Sequence, residues 1–213
     1  MIIRYYLVSH TDFVMMNEFW EKRFSQEAYV YGKEPNAFFR ECIDGLTPGK
    51  VLLPGEGEGR NAVYAAGLGW DVHAFDQSAA GREKAFRLAR ERGVHIAYEL
   101  GSIFDIPYRK GFFDLAALIF MHIHPKARRM FHNYIMNSLG HGGLLVMEAF
   151  GKEQIRNASG GPRDPDLLYM PEDIIEDFEG MEIIRAANER VHLDEGPSHQ
   201  GEADVVRFIA RKK

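Results

Sequence analysis

A chain of 213 residues with a formal net charge of −5 is long enough for one domain with a sizeable core and carries no excess of basic residues. Its longest basic run is the terminal Arg211-Lys212-Lys213 and no Cys/His zinc spacing is present, so no nucleic-acid footprint is expected. The single cysteine, Cys42, excludes an internal disulfide and a multi-cysteine metal site; a buried structural thiol in a reducing, cytoplasmic setting is the simpler expectation.

The opening MIIRYYLVSHTDFVMM has an apolar patch too short to cross a bilayer, with no small-residue cleavage site after it. Two readings stand for the first fourteen residues. They add a strand or contact surface, or they reflect an upstream start, since Met15 and Met16 directly precede the acidic-aromatic NEFWEKRF. Residues 13–24 and 37–46 then read as two helices that cover one end of the fold. From residue 50 onward, short apolar strands alternate with amphipathic helices. Strands are expected at 50–53, 71–75, 95–98, 115–120 and 144–148, and helices at 61–68, 79–91 and 126–138. That alternation predicts a mostly parallel sheet covered on both faces. PEDIIEDFEG predicts one more helix opened by proline, and MEIIRAANERVHL with ADVVRFIARKK predicts a closing antiparallel pair. The division that follows is an N-terminal extension and helical cap over residues 1–46 and a core over 47–213, together one compact domain.

The first strand runs into Gly55-Glu56-Gly57-Glu58-Gly59 and out into a helix. Glycines there permit a tight turn and close approach of a ligand to backbone amides. Nineteen residues after Gly57, Asp76 ends the second strand, where a carboxylate accepts from both hydroxyls of a ribose. The third glycine comes one place early for a dinucleotide fingerprint, and no Gly-Lys-Ser/Thr follows to make a P-loop. Glu56 and Glu58 would repel a pyrophosphate but suit a cationic head, so S-adenosylmethionine fits better than a dinucleotide. Farther on, Asp105 is placed to accept from an adenine amino group, with Phe104 beside it as a flat apolar surface. Phe120, Met121 and His122 fall at the end of the fourth strand, beside the crevice of such sheets.

With these residues in view, the chain resembles the class I S-adenosylmethionine-dependent methyltransferases, and more narrowly the tellurite-resistance and thiopurine methyltransferase-like group. The resemblance is carried by FWEKRFSQEAYVYGKEPNAFF, VLLPGEGEGRNAVYAAGLGWDVHAFDQS, GSIFDIP, FDLAALIFMHIHP, GGPRDPDLLYMPEDIIEDF and GPSHQGEADVVRFIARK, about residues 17–212. It implies a three-layer Rossmann-like sandwich with a seven-stranded, mostly parallel sheet whose last strand is antiparallel. It also implies a donor held by Gly55, Glu56, Gly57, Asp76, Gln77, Phe104, Asp105 and Phe120. The chain departs from the family's pattern at Leu53, where an acidic residue is usual, and at Glu56, where cysteine or serine is common. Glu56 is expected to take a polar role near the methionyl amine.

The reaction implied is methyl transfer to a small-molecule acceptor, such as a thiol or chalcogen oxyanion. Tyr31, Arg60, His122, Arg163 and Tyr169 are the acceptor-facing candidates. His122, with His124 near it, is the candidate proton acceptor. Trp20, Tyr29 and Tyr31 read as cap aromatics, which either close over the sulfonium or simply pack. His192, Glu195 and His199 lack a recognised zinc spacing, and no metal is expected. Two other functions stay open at this point: a non-catalytic S-adenosylmethionine-binding regulator and an NAD-dependent oxidoreductase. No membrane or nucleic-acid partner is expected, and the residues do not choose between monomer and homodimer.

Overall fold

The computed structural model describes residues 10–106 and 108–213. The strand or contact surface expected from the N-terminal apolar patch falls largely outside those residues. Helix α1 (His10–Phe24) and helix α2 (Ala37–Ile43) precede strand β1 (Lys50–Pro54). Then α3 (Arg60–Gly67), β2 (Asp71–Asp76), α4 (Ala79–Arg92), β3 (Ala97–Leu100), β4 (Phe113–Ile119) and α5 (Pro125–Ser138) alternate. Strand β5 (Leu139–Phe150), α6 (Pro171–Asp177), β6 (Glu182–Asp194) and β7 (Gln200–Arg211) complete the order. Among the described residues no helix is long and apolar enough to cross a membrane.

The seven strands form one sheet in the order β3-β2-β1-β4-β5-β7-β6. Pairs β1–β2, β2–β3, β1–β4 and β4–β5 are parallel; β7 runs antiparallel to both β5 and β6. This is the expected seven-stranded sandwich. The chain builds outward from β1 to β3 and then crosses to β4 on the other side of β1. That reversal leaves a crevice at the carboxyl ends of β1 and β4, where ligands bind in open α/β sheets.

Strand alternation builds a core on each face. Val51, Leu53, Leu115 and Ala117 pack with Phe38, Phe39, Ala62 and Leu88 under α2, α3 and α4. Leu52, Ala116 and Leu118 face the other way, onto Phe131, Ile135, Ile174 and Phe178 of the α5–α6 side. Leu53, the residue that departs from the family's acidic position, is thus part of the helix-side core.

Helix boundaries follow local capping. Ser78 Oγ accepts from Gly81 N–H at 3.0 Å, and Gly93 closes α4 in the left-handed region at φ 67°. Helix α5 begins at Pro125 with His124 as its N-cap, the imidazole accepting from Lys126 N–H at 3.4 Å. His124 therefore serves the helix end and not the acceptor. Strand β5 begins at Leu139, five residues before the expected 144, because Leu139 pairs with Phe113 across a register shift that the apolar pattern does not reveal.

Candidate functional site

The loop after β1 turns on three glycines with positive φ: 60° at Gly55, 60° at Gly57 and 87° at Gly59. Their surroundings also need glycine. A Cβ on Gly55 would meet Met121 at 3.0 Å, one on Gly57 would meet the Phe24 ring at 2.8 Å, and one on Gly59 would overlap Ala85. Beside the loop, Asp76 is 9 % exposed and accepts from Gly57 N–H at 3.1 Å and Ser78 N–H at 2.8 Å. Burial raises its carboxyl above the usual range, and the N–H groups of Ser78, Gly57 and Gln77 oppose that shift. A carboxylate has about four acceptor sites, so these bonds do not exhaust its capacity to accept. The Tyr98 hydroxyl donates to Gly57 O at 2.7 Å and pins the loop from β3. Nothing in the sequence reading singled out Tyr98, since one aromatic on a short strand looks like ordinary packing.

The two loop carboxylates have separate fates. Glu56 Oε1 accepts from Ala62 N–H at 2.7 Å, which caps α3 where the N-cap residue, Gly59, has no side chain to offer. Burial pushes Glu56 up to about 7 against the opposing pull of that N–H and the Arg60 charge. Glu58 turns away from the loop. It pairs with Lys84 at 2.7 Å and accepts from the backbone N–H of Val30 at 2.8 Å, while Lys84 also donates to Ala28 O at 2.7 Å. The expected double carboxylate for a cationic head therefore reduces to Glu56; Glu58 anchors the cap.

Helix α1 lies over the same region. Glu21 accepts from Ser78 Oγ at 2.6 Å and from Ala80 N–H at 3.2 Å, at the start of α4. Trp20 stacks on Phe24 at 5.5 Å, and Phe24 sits against Gly57 and Gly81. Beyond β3, Asp105 is exposed and Phe104 is half-buried, in a turn held by Ser102: its Oγ accepts from Phe104 N–H at 3.1 Å and its carbonyl from Asp105 N–H at 2.9 Å. Phe104 packs on the α5-side core. Gln77 is half-buried between Asp76 and the Ser78 cap.

At the end of β4, Phe120 has φ 50°, the one non-glycine in the left-handed region among the described residues. Such strain persists where the surroundings enforce it, and it clusters at binding sites. Phe120 N–H donates to Glu148 O at 2.7 Å, and its ring contacts Phe150 at 4.6 Å and His199 at 4.4 Å.

Several acceptor-facing candidates are committed elsewhere. His122 Nδ1 lies 2.7 Å from Leu167 O, and Phe150 N–H donates to Nε2 at 3.4 Å. Both ring nitrogens thus meet main chain, and burial lowers the imidazole to about 4. The base role expected of His122 is replaced by that of a neutral pin between β5 and the following loop. Tyr169 is fully buried; its hydroxyl accepts from Ile123 N–H at 2.8 Å and donates to Met121 O at 3.1 Å. It holds the segment after β4 from beneath and does not face an acceptor. Arg163 is exposed and donates to Asn157 O at 3.0 Å within its own loop. Arg60 is buried against Glu195 at 2.7 Å and donates to Tyr31 O at 3.2 Å.

Glu195, in the β6–β7 turn, is a junction that sequence reading weighed only as a metal ligand. Burial pushes its carboxyl up, but the His199 imidazole, the Arg60 charge and Ala37 N–H together hold it at about 2. Asn36 links it to the sheet by donating to Glu195 at 3.0 Å and to Glu148 at 2.5 Å. Glu148 in turn pairs with Arg207 at 2.7 Å. Asn36 was legible only as a helix cap, which it also is, accepting from Phe39 N–H at 2.8 Å. His192 is exposed and faces Glu202 at 2.9 Å, whereas His199 is buried, so the two histidines do not converge. The half-buried Cys42 thiol is pushed up to about 11 by burial, which keeps it protonated near neutral pH.

The sequence profile of a family described as a methyltransferase domain matches residues 51–143, from β1 into β5. Over those residues the chain is similar to a methyltransferase domain. No curated protein matches it by sequence. Among solved structures, the chain is similar to TehB from Haemophilus influenzae, at 17% identity and a TM-score of 0.69, over 92% of this chain and 67% of that one. It is also similar to the N-methyltransferase NodS from Bradyrhizobium japonicum WM9 in complex with S-adenosyl-L-homocysteine, at 14% identity and a TM-score of 0.67, over 92% of this chain and 97% of that one. A third structure, described as the conversion of a disulfide bond into a thioacetal group during echinomycin biosynthesis, shares 20% identity with a TM-score of 0.72, over 93% of this chain and 92% of that one. At such identities the likeness is one of fold.

Proposed function

We propose that this methyltransferase moves the methyl group of S-adenosylmethionine to a small-molecule acceptor. The observation that carries this reading is Asp76, a buried carboxylate with both oxygens fixed by loop N–H groups, facing three glycines that leave the β1 turn bare of side chains. Gly55, Glu56, Gly57, Asp76, Gln77, Phe104, Asp105 and Phe120 hold the donor in this reading. Glu56 receives the methionyl ammonium, which would draw its carboxyl down from about 7 into the charged form.

When bound, S-adenosylmethionine supplies an activated methyl on a sulfonium that is its own leaving group. The chain's work is then alignment and the exclusion of water. Glu21 and Phe24 close α1 over the loop, while Tyr98 and Tyr169 hold the Gly57 and Met121 backbones that border the crevice. No side chain is assigned as base. A soft acceptor such as a thiolate or chalcogen oxyanion reacts without one, which agrees with both nitrogens of His122 being engaged. The narrower assignment to the tellurite-resistance and thiopurine group rests on the motifs quoted above, and the fold shared with TehB is compatible with it. The chemistry also suits a reducing, cytoplasmic setting.

Calorimetric titration with S-adenosyl-L-homocysteine tests the reading, with NAD as the control ligand. Binding of the first and not the second is expected; the reverse would restore the oxidoreductase. Incubation with labelled S-adenosylmethionine and a cell extract then identifies the methylated small molecules. Tight binding with no labelled product in extract or thiol panel would favour the non-catalytic regulator.

A further inference from the structure

Strand β6 ends the sheet on one side: it pairs with β7, and among the described residues no strand pairs with its other edge. Thirteen residues at about 3.4 Å each make an open edge on the order of 40 Å long, with backbone N–H and C=O groups turned outward. Natural edge strands are commonly short, interrupted by proline or studded with lysine. β6 is long and contains neither residue type. Its one irregularity is a bulge between Ile183 and Arg185, so the stretch from Arg185 to Asp194 keeps an unbroken register on β7. Apolar surface gathers at the bulged end. Ile183 and Ile184 are 40 % and 49 % exposed, and Ile175 on α6, the helix packed against β6, is 39 % exposed.

Beyond the bulge, Arg185-Ala186-Ala187-Asn188-Glu189 is complementary in charge to its own reverse. Set antiparallel against a second copy with Ala187 opposite Ala187, it brings Arg185 of each copy opposite Glu189 of the other, and the two-fold axis makes that pair twice. Moving the axis by one residue either way loses both pairs. On Asn188 it sets Arg185 opposite Val191, and on Ala186 it sets Arg185 opposite Ala187. The two-residue period puts Arg185, Ala187 and Glu189 on one face of the sheet. There the Arg185 guanidinium lies 5.3 Å from the Phe38 ring centre, and Glu189 accepts from Arg185 Nε and from Arg207, both at 3.1 Å. Ala186 faces the other way, onto the α5–α6 core, so the middle of the edge carries no bulky side chain.

We propose that β6 is a self-association edge, which pairs with β6 of a second copy of this chain about a two-fold axis at Ala187 and joins the two sheets into one. The outward backbone groups supply the ladder, the two Arg185–Glu189 pairs set the register, and the exposed isoleucines flank it. This stands independently of the methyl-transfer reading.

Sedimentation velocity over a range of protein concentrations gives the dimer dissociation constant of wild type, R185E and E189R. Each reversal sets like charges opposite one another twice, so each variant alone should dimerise roughly 10- to 100-fold more weakly than wild type. An equimolar mixture of R185E and E189R restores opposite charges at both positions and should associate about as tightly as wild type. A fold defect, or loss of the pair within one chain, would not be rescued by mixing. Melting temperature checks that both variants are folded. If either is not, hydrogen exchange on the wild type decides: amides of residues 185–191 should gain protection as concentration rises, while those of β3, at the opposite edge of the sheet, should not. A wild type that stays monomeric throughout, a dimer that both reversals leave intact, or a mixture that associates no better than its components would overturn the proposal. So would exchange in β6 that is independent of concentration.

Discussion

Asp76 shows what a single side chain contributes and how it is tested. Removing it in D76A strips the partners from Gly57 N–H and Ser78 N–H and, in the proposed function, deletes the ribose acceptor as well. A charged hydrogen bond of this kind is worth about 2 kcal/mol, so S-adenosyl-L-homocysteine affinity should fall by roughly 30-fold in calorimetry. His122 makes a separate prediction through pH. Its folded value, about 4, lies below the ordinary 6.5, so the unfolded chain binds the extra proton between them. Its contribution is therefore full above pH 6.5 and is lost as pH falls toward 4. Denaturant unfolding of wild type and H122N at pH 7.5, 6 and 4.5 should show the stability difference shrinking at each acid step. A constant difference would mean that the buried ring titrates normally.

At the scale of the element, the glycine loop after β1 is set by contacts from three directions. The helix behind it starts on Glu56, the strand beside it reaches over through Tyr98, and α4 comes close enough that Gly59 has no room for a methyl group. Y98F removes the bond to Gly57 O inside a buried contact and should cost about 1 kcal/mol of stability. The expected reading on the donor is a weaker affinity of similar size, because the loop loses its pin and not its shape. G59A meets both a positive φ and a collision with Ala85, and should destabilise by roughly 2 kcal/mol or more, read as a lowered melting temperature.

Across the whole molecule, the cap is tied to the sheet by buried charge. Glu58 with Lys84, Arg60 with Glu195, and Glu148 with Arg207 each join segments far apart in the chain. A lone K84M leaves Glu58 buried without its counter-charge, which costs on the order of 3–5 kcal/mol, whereas the double change E58Q/K84M should recover much of that loss. A double-mutant cycle in urea measures it. Limited proteolysis should find the segment around Ala28 and Val30 cut sooner in K84M, since both backbone groups lean on this pair.

The strands, the order of helices, the glycine turn and Asp76 at the end of β2 were legible from residues alone, because apolar period, turn chemistry and capping act over a few positions. Which carboxylate stays at the loop was not. Glu56 and Glu58 are equivalent on paper, and only the arrival of Lys84 and Val30 draws one of them away. The roles of His122, Arg60 and Tyr169 were likewise decided by partners distant in sequence: Arg60 meets Glu195 across 135 positions, and His122 meets Leu167 across 45. The chain by itself determined a mostly parallel sheet with a glycine turn after β1 and an aspartate at the end of β2, since these features are written in local pattern. The tertiary structure decided which polar side chains stay available to a ligand, since a buried group is claimed by whatever partner the completed fold sets against it.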